Sequence, residues 1–369
     1  MTTPLHILEN PFTPSFGEKP AYLAGRHRIL ADLETAYQSE RRRPALTALL
    51  LGARGTGKTT LLALAADAAR ARGWVAVRTT AVDGMLNDLE IQTRRQASHL
   101  VETPSGTHIS GVGIPQVIEL KLESSPEPKT NWRSRMEDLI AQLEQRGSGL
   151  LIEVDEVHSA IPELRELVAV YQNFVSDDRR VGLLMAGLPH HVAAITEDRV
   201  ISFLRRAKTY RLGRIDDGEI ADAIVKTVES GGRTVDPALL GPALSAIDGF
   251  PFMLQLVGFE AWEANPASPS LSGPDIELGV ARGREEIEAR IFEPTYRELS
   301  PGDLRFLAAM LEDEGDTRVA DLAVRLERSS SQVAQYRRRL IDAGIIGERG
   351  RGVVGFDLPF FREFLGERL

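Results

Sequence analysis

A chain of 369 residues with 43% hydrophobic residues is long enough for two or three domains with real cores. Its formal net charge of −9 argues against a protein that coats nucleic acid, so any DNA contact must be local. The absence of cysteine excludes disulfides, thiolate zinc sites and thiol catalysis.

The opening Met1-Thr2-Thr3-Pro4-Leu5-His6 lacks the basic and apolar regions of a signal peptide. No apolar run approaches a membrane span, so a cytoplasmic protein with no membrane partner is expected. Residues 1–25 carry Asn10-Pro11-Phe12 and Tyr22-Leu23-Ala24-Gly25, a proline-rich lead that cannot be one long helix and is expected to lie across the core. From Arg26 to Arg43, Ile29, Leu30, Leu33, Ala36 and Tyr37 fall at helical spacing, and Pro44 stops the helix before a strand.

That strand, Ala45 to Leu51, runs into Gly52-Ala53-Arg54-Gly55-Thr56-Gly57-Lys58-Thr59, which fits the phosphate-loop pattern and is followed by an Ala- and Leu-rich helix over Thr60 to Arg72. Glycines let the backbone wrap a triphosphate, so that N–H groups and a helix N-terminus point at it. The expected nucleotide-binding set is Gly52, Ala53, Arg54, Gly55, Thr56, Gly57, Lys58, Thr59 and Thr60, with Lys58 on the β and γ phosphates and Thr59 on Mg²⁺. The ligand expected of such a loop is a nucleoside triphosphate with Mg²⁺, and the resemblance given below implies that it is ATP.

Trp74 to Thr79 reads as a second strand. Between Asp83 and Thr130 the pattern is weak; alternation from His108 to Glu123 around Gly111, Gly113 and Pro115 suggests a hairpin-like insertion, followed by a polar linker over Ser124 to Thr130. A helix over Trp132 to Gln145 leads to Leu150-Leu151-Ile152-Glu153-Val154-Asp155-Glu156, a mostly apolar strand that delivers two acids at its C-terminal end, where parallel sheets bind ligands. Asp155 would hold the Mg²⁺ shell, and Glu156 would orient the attacking water.

The next strand, Val181 to Gly187, ends in Leu188-Pro189-His190-His191, where a polar γ-phosphate sensor would be usual: sensing is weak there, or His190 substitutes. As a metal pair, His190 and His191 lack an evident acidic partner, so they read as solvated loop histidines. Phe203-Leu204-Arg205-Arg206 precedes a short strand over Thr209 to Leu212. Arg206 is the candidate finger that would complete the site of a neighbouring subunit in a homo-oligomer; a solvated arginine is the plainer alternative.

From Arg214 to about Ile291 the pattern is helical, clearest over Glu219 to Glu229, Ala238 to Ile247 and Phe252 to Glu263. Gly249-Phe250-Pro251 fixes a turn that would set Pro251 near the nucleotide base, or simply caps a helix. From Ser300, helices around Leu304 to Met310, Val319 to Leu326 and Gln332 to Ala343 precede two β-like runs from Ile345 to Leu358. This is a winged helix-turn-helix pattern. Gln332, Gln335, Arg337, Arg338 and Arg339 on its third helix, with Arg349 and Arg351 on the wing, are candidate contacts to double-stranded DNA; docking of a protein partner carries equal weight.

With these motifs in place the chain resembles AAA-type P-loop ATPases of the kind found in actinobacteria, and is similar to archaeal initiator-like ATPases and the STAND group. The resemblance rests on Gly52 to Thr59, Leu150 to His158, Leu183 to Pro189, Phe203 to Arg206, the Gly249 to Pro251 turn and the winged tail. It implies a three-layer α/β core with a parallel sheet over residues 44–213, after a lead and helix over 1–43. A helical lid over 214–299 and a winged helix over 300–369 that transmits nucleotide state would follow. Two departures, Gly187 in place of a polar sensor and no lid arginine beside Pro251, bear on hydrolysis more than on binding. Three functions are compatible: a nucleotide-driven switch, a regulator that binds ATP without turnover, and a helicase suggested by Asp155-Glu156-Val157-His158. The last lacks the second lobe it would need.

Overall fold

The computed structural model describes residues 8–15, 17–101, 131–158, 161–197 and 202–369. The core elements are α1 (His27–Gln38), β1 (Thr47–Leu51), α2 (Lys58–Ala71), β2 (Val75–Thr80), α3 (Met85–Val101), α4 (Trp132–Gln145), β3 (Leu150–Asp155), α5 (Pro162–Ser176), β4 (Val181–Gly187), α6 (Pro189–Glu197) and β5 (Lys208–Arg211). The five strands form one parallel sheet in the order β2-β3-β4-β1-β5.

Burial on both faces makes parallel strands read as continuous apolar runs, yet successive side chains still point to opposite layers. On β3, Leu150, Ile152 and Val154 join a core with α3, α4 and α5. Leu151 faces the other way, into the core formed with α1 and α2. By the same alternation Glu153 and Asp155 project toward α2.

The first strand is shorter than the apolar run suggests, because Pro44 opens a 3₁₀ turn over Pro44–Leu46 and pairing starts at Thr47. The helix over Trp132–Gln145 and the strand over Val181–Gly187 have the expected bounds. Three core helices, α3, α5 and α6, went unread. In α5, Leu164, Leu167, Val168, Tyr171 and Phe174 recur at helical spacing after Pro162, a signal that was available. In α3, the first turn is capped from another element: the Glu163 carboxylate accepts from the backbone N–H groups of Gly84 (2.8 Å) and Leu86 (2.9 Å). The hairpin expected between His108 and Glu123 and the linker after it lie outside the described residues.

Beyond the sheet follow α7 (Asp217–Ser230), β6 (Thr234–Val235), α8 (Gly241–Ile247), α9 (Pro251–Ala264), β7 (Ser270–Leu271) and α10 (Gly273–Ile287). A π turn over Glu288–Phe292 leads to α11 (Glu293–Glu298), α12 (Pro301–Leu311), β8 (Thr317–Arg318), α13 (Val319–Arg325), α14 (Ser330–Asp342), β9 (Ile346–Gly350), β10 (Val353–Phe356) and α15 (Phe361–Gly366). Strands β8, β10 and β9 pair antiparallel in that order. Ser329 caps α14 in a reciprocal box with Gln332, and Gly344 ends the helical run at φ +70. One hydrophobic core runs through both stretches, from Ile220 and Trp262 to Phe306, Leu340 and Phe364.

The proline-rich lead is stitched to α9. Asn10 Nδ2 donates to the Phe259 carbonyl at 3.2 Å and to Glu263 Oε1 at 2.8 Å, while the Thr13 N–H donates to Gln255 Oε1 at 2.9 Å. Phe12 occupies the space a side chain would need at Gly258, since a Cβ there would lie 2.2 Å from its ring.

A charge lies buried in the sheet. Glu153 has no exposed surface and accepts from Arg78 Nε (2.8 Å) and Arg78 Nη2 (2.7 Å). Burial outweighs that partner and pushes its carboxyl up to about 7. The unfolded chain gives up this proton near 4.5, whereas the folded chain keeps it to about 7. Stability from this group is therefore full below about 4.5 and falls as pH rises through 7. Glu153→Gln should flatten that fall and gain on the order of 2 kcal/mol over the parent at pH 8 relative to pH 4.5. Urea denaturation at the two pH values measures it; an equal slope in both proteins would contradict the assignment.

Candidate active site

The phosphate loop follows from the end of β1. Gly55 and Gly57 sit at φ +77 and +83, a left-handed conformation that glycine adopts without a Cβ clash. Gly57 stands at the N-cap of α2, so the helix opens at Lys58 with its free N–H groups toward the loop. Gly52 is needed for close approach: a Cβ there would lie 2.4 Å from Thr56 Oγ1 and 2.9 Å from the Leu212 carbonyl.

Lys58 Nζ donates to the Gly52 carbonyl (2.8 Å) and the Ala53 carbonyl (2.7 Å), two acceptors of the loop it belongs to. Burial lowers its pKa to about 8, against the opposing pull of Asp155. In the first turn of α2, Thr59 Oγ1 donates to Asp155 Oδ2 at 2.6 Å. The second carboxylate oxygen, Asp155 Oδ1, accepts from the Glu156 N–H at 2.9 Å. Glu156 itself is exposed and sits at φ +51, a conformation costing an L-residue roughly 1 to 2 kcal/mol. Strain of this kind collects at functional sites.

These groups share one cavity of about 660 Å³. Its floor is Arg54 to Thr60 with Asp155 and Glu156; its walls are lead residues from Thr13 to Arg26, then Pro251, Phe252 and Gln255 of α9, and Arg290 and Ile291 of the π turn. Pro251 comes close to the loop: a Cβ on Gly57 would lie 3.9 Å from Pro251 Cγ, and one on Gly55 would lie 3.6 Å from Phe252 Cβ. Two contributions went unread in the sequence. The lead supplies part of the wall, including Tyr22 and Arg26, whose Nη2 donates to the Gly213 carbonyl at 2.6 Å. The helical segment supplies a cation after all, since Arg290 lines the cavity although no arginine stands beside Pro251 in sequence.

Other expected groups lie elsewhere. Arg206 is exposed, is not among the cavity-lining residues, and has no ion pair among the described residues. His190 does not line the cavity either. Its reading as a solvated loop residue is corrected: His190 and His191 open α6, half-buried, and Asp342 of α14 faces them, His190 Nε2 to Asp342 Oδ1 being 3.6 Å. Burial lowers the pKa of His190, and burial together with the neighbouring His190 and His158 brings that of His191 down to about 4. The missing acidic partner was invisible because it stands at the far end of the chain.

The seven candidate DNA contacts divide. Arg337 is ion-paired with Glu348, Arg339 with Asp303, and Arg349 with Asp357 at 2.7 Å and Asp316 at 3.6 Å. Gln332 is engaged in the cap of α14. Arg338 is 86% exposed with only a 3.9 Å contact to Asp342, and Gln335 and Arg351 are exposed. Among the described residues no helix is long and apolar enough to cross a membrane.

A family model described as an AAA domain matches residues 41–195, and a domain of unknown function, DUF8462, matches residues 289–365. No curated protein matches the chain. Among solved structures, the Walker-type ATPase PABY2304 of Pyrococcus abyssi is similar at TM-score 0.65 and 16% identity, over 93% of this chain and 96% of that one. The Aeropyrum pernix ORC2 protein in its ADPNP–ADP complexes is similar at TM-score 0.61 and 15% identity, over 96% of each chain. Residues 41–195 are thus an AAA domain of the P-loop type, and the chain around it carries the α/β fold of these two solved proteins.

Proposed function

We propose that this chain is an ATP-binding and ATP-hydrolysing AAA-type switch, whose nucleotide state repositions its C-terminal winged helix toward DNA. The observation that carries the reading is the convergence in one cavity of Arg54 to Thr60, Asp155 and Glu156 with Pro251 and Arg290.

The residues fit the expected ligands. Lys58 spends its charge on two carbonyls of its own loop, contacts that a phosphate would replace. The Thr59 hydroxyl and the Asp155 carboxylate are hard oxygen donors of the kind Mg²⁺ takes, and Mg²⁺ held there would neutralise charge on the β and γ phosphates. Glu156 then accepts a proton from, and orients, a water in line with the γ phosphate. Pro251 and Tyr22 would border the base and ribose, and Arg290, ion-paired with Glu286 at 2.5 Å, would be the cation that the helical segment offers to the cavity. Arg206, which is exposed and does not line this cavity, is our candidate for the finger acting on the site of a neighbouring subunit, a solvated arginine being the plainer alternative. The absence of a polar side chain at Gly187 favours a second reading, ATP held as a structural ligand with negligible turnover.

For the C-terminal unit, DNA would meet the exposed middle of α14 and the wing through Gln335, Arg338 and Arg351. A protein partner at the same face is the alternative. The internal pairing of Arg337, Arg339 and Arg349 narrows the footprint.

Glu156→Gln should lower phosphate release by ~10²-fold or more while a fluorescent ATP analogue still binds. Equal turnover in variant and parent would make the catalytic assignment of Glu156 wrong, and negligible turnover in the parent would leave the structural-ligand reading. Lys58 sets a pH dependence: its free-state pKa is about 8, and phosphate contact raises it, so above about pH 8 binding must take up a proton. ATP affinity should therefore fall as pH rises from 8 to 9, with proton uptake seen by calorimetry in buffers of different ionisation enthalpy. Lys58→Ala should abolish that linkage. On DNA, Arg338→Ala with Arg351→Ala should weaken binding and reduce the salt slope by about 0.9 per lost phosphate contact, whereas Arg339→Ala should change the slope little. An unchanged mobility shift in the double variant moves this face to protein docking.

A further inference from the structure

His190 and His191 stand in the first turn of α6, directly after the strand that runs beside β1. Asp342 is the last residue of α14, at the other end of the chain. The fold brings one ligating atom from each of the three within 4.8 Å of the other two. The imidazole centroids of His190 and His191 are 4.1 Å apart, and the His158 ring lies 6.0 Å from that of His191.

The contact does not fit an ordinary hydrogen bond. His190 Nε2 is shielded from solvent and makes no hydrogen bond, and its 3.6 Å separation from Asp342 Oδ1 is too long for one. Two donors of one tetrahedral zinc, each at its usual bond length, stand about 3.3 to 3.6 Å apart. The gap between His190 and Asp342 is therefore the spacing of two ligands on one ion. Adjacent helical residues point roughly 100° apart, which would separate a histidine pair acting alone. Here Asp342 comes from another helix, and one donor atom from each of the three residues still lies within 4.8 Å of the other two.

We propose that His190, His191 and Asp342 form a binding site for a divalent transition-metal ion of the zinc class, joining α6 of the AAA domain to α14 of the C-terminal unit. Two imidazoles and one carboxylate form a borderline donor set, favoured by zinc, cobalt or nickel over magnesium. That set differs in kind from the oxygen donors Thr59 and Asp155, so the two sites select different ions. Three protein ligands leave a fourth position for water. An ion there would fasten the contact at which Gly344 packs beside Leu188 and Arg54, a Cβ on Gly344 being 3.0 Å from Leu188 Cδ1 and 3.7 Å from Arg54 Nε. The site stands independently of the nucleotide reading.

The test uses the full chain without a histidine tag, free of nucleotide and with Mg²⁺ in excess. Titration with Co²⁺ should give one ion per chain, with the intense visible bands of four-coordinate cobalt, and Zn²⁺ should displace it. Calorimetry with zinc chloride should return the same stoichiometry. His190→Ala, His191→Ala and Asp342→Asn should each weaken zinc binding at least ~10-fold, with unchanged far-ultraviolet circular dichroism. Glu348→Gln, which alters a nearby carboxylate outside the cluster, should leave affinity as it was. No cobalt spectrum, or zinc binding that survives all three ligand substitutions, would overturn the proposal. Asp342 is exposed, so its asparagine variant keeps the test open if the histidine variants misfold.

Discussion

The site depends on the hydrogen bond between Thr59 and Asp155, 2.6 Å long, which ties the first turn of α2 to the end of β3. It exists because of a parity. Side chains on a strand alternate, so the residues that share a face with Leu151 look toward α2, while Leu150, Ile152 and Val154 look toward α4 and α5. Shifting the pair Asp155-Glu156 by one residue would aim the aspartate into the opposite core and leave the phosphate loop without an acid. The same parity explains the buried Glu153, which shares the face of Asp155 and is tolerated because Arg78 on the neighbouring strand reaches it. A charge two residues before the functional one is a consequence of which layer β3 presents to α2.

Much of this was legible in the sequence because it is local. The phosphate loop, the acids at the end of β3 and the strand over Val181–Gly187 are set by neighbouring residues, and the structure places them where their patterns indicate. What was not legible is what depends on contacts across the chain. The cavity wall built by Thr13 to Arg26 carries no motif; it arises because Phe12 fills the space left by Gly258 and because Asn10 and Thr13 bond to α9. Arg290 was hidden for the same reason, since the cation that faces the loop comes from a π turn after α10 rather than from the helix that begins at Pro251. The histidines failed in another way. Their sequence neighbours are those of a loop, and only the return of α14 shows them half-buried beside an acid. The missed α5 is different again, because its apolar spacing was present and only the reading skipped it.

The cavity is walled by segments far apart in sequence, and this ties its shape to the relative placement of the sheet and the helical segment. Phe12 and Pro251 belong to one hydrophobic body with α7 to α10, while Arg54, Thr59 and Asp155 belong to the sheet and its helix. A ligand that contacts both sides shifts the equilibrium between open and closed arrangements only by its differential affinity for them. A ligand lying between Lys58 on one side and Arg290 on the other would supply such a difference only to the extent that it binds both sides together.

The C-terminal unit is drawn into this arrangement by its packing. Its core is continuous with that of α9 and α10 through Ile287, Phe292 and Phe361, and Phe250, just before Pro251, lies edge-on to Phe360 at 5.8 Å. Its other attachment is to the sheet, where Asp342 faces His190 and Gly344 packs beside Leu188 and Arg54. A body held firmly to the helical segment and lightly to the sheet cannot follow both when their spacing changes. Any movement of Pro251 toward or away from the phosphate loop must therefore be absorbed at the contact between α6 and α14. α14 spans thirteen residues, roughly 20 Å, and so joins that contact, through Asp342 at its last position, to the exposed positions Ser331 and Gln335 of its first half.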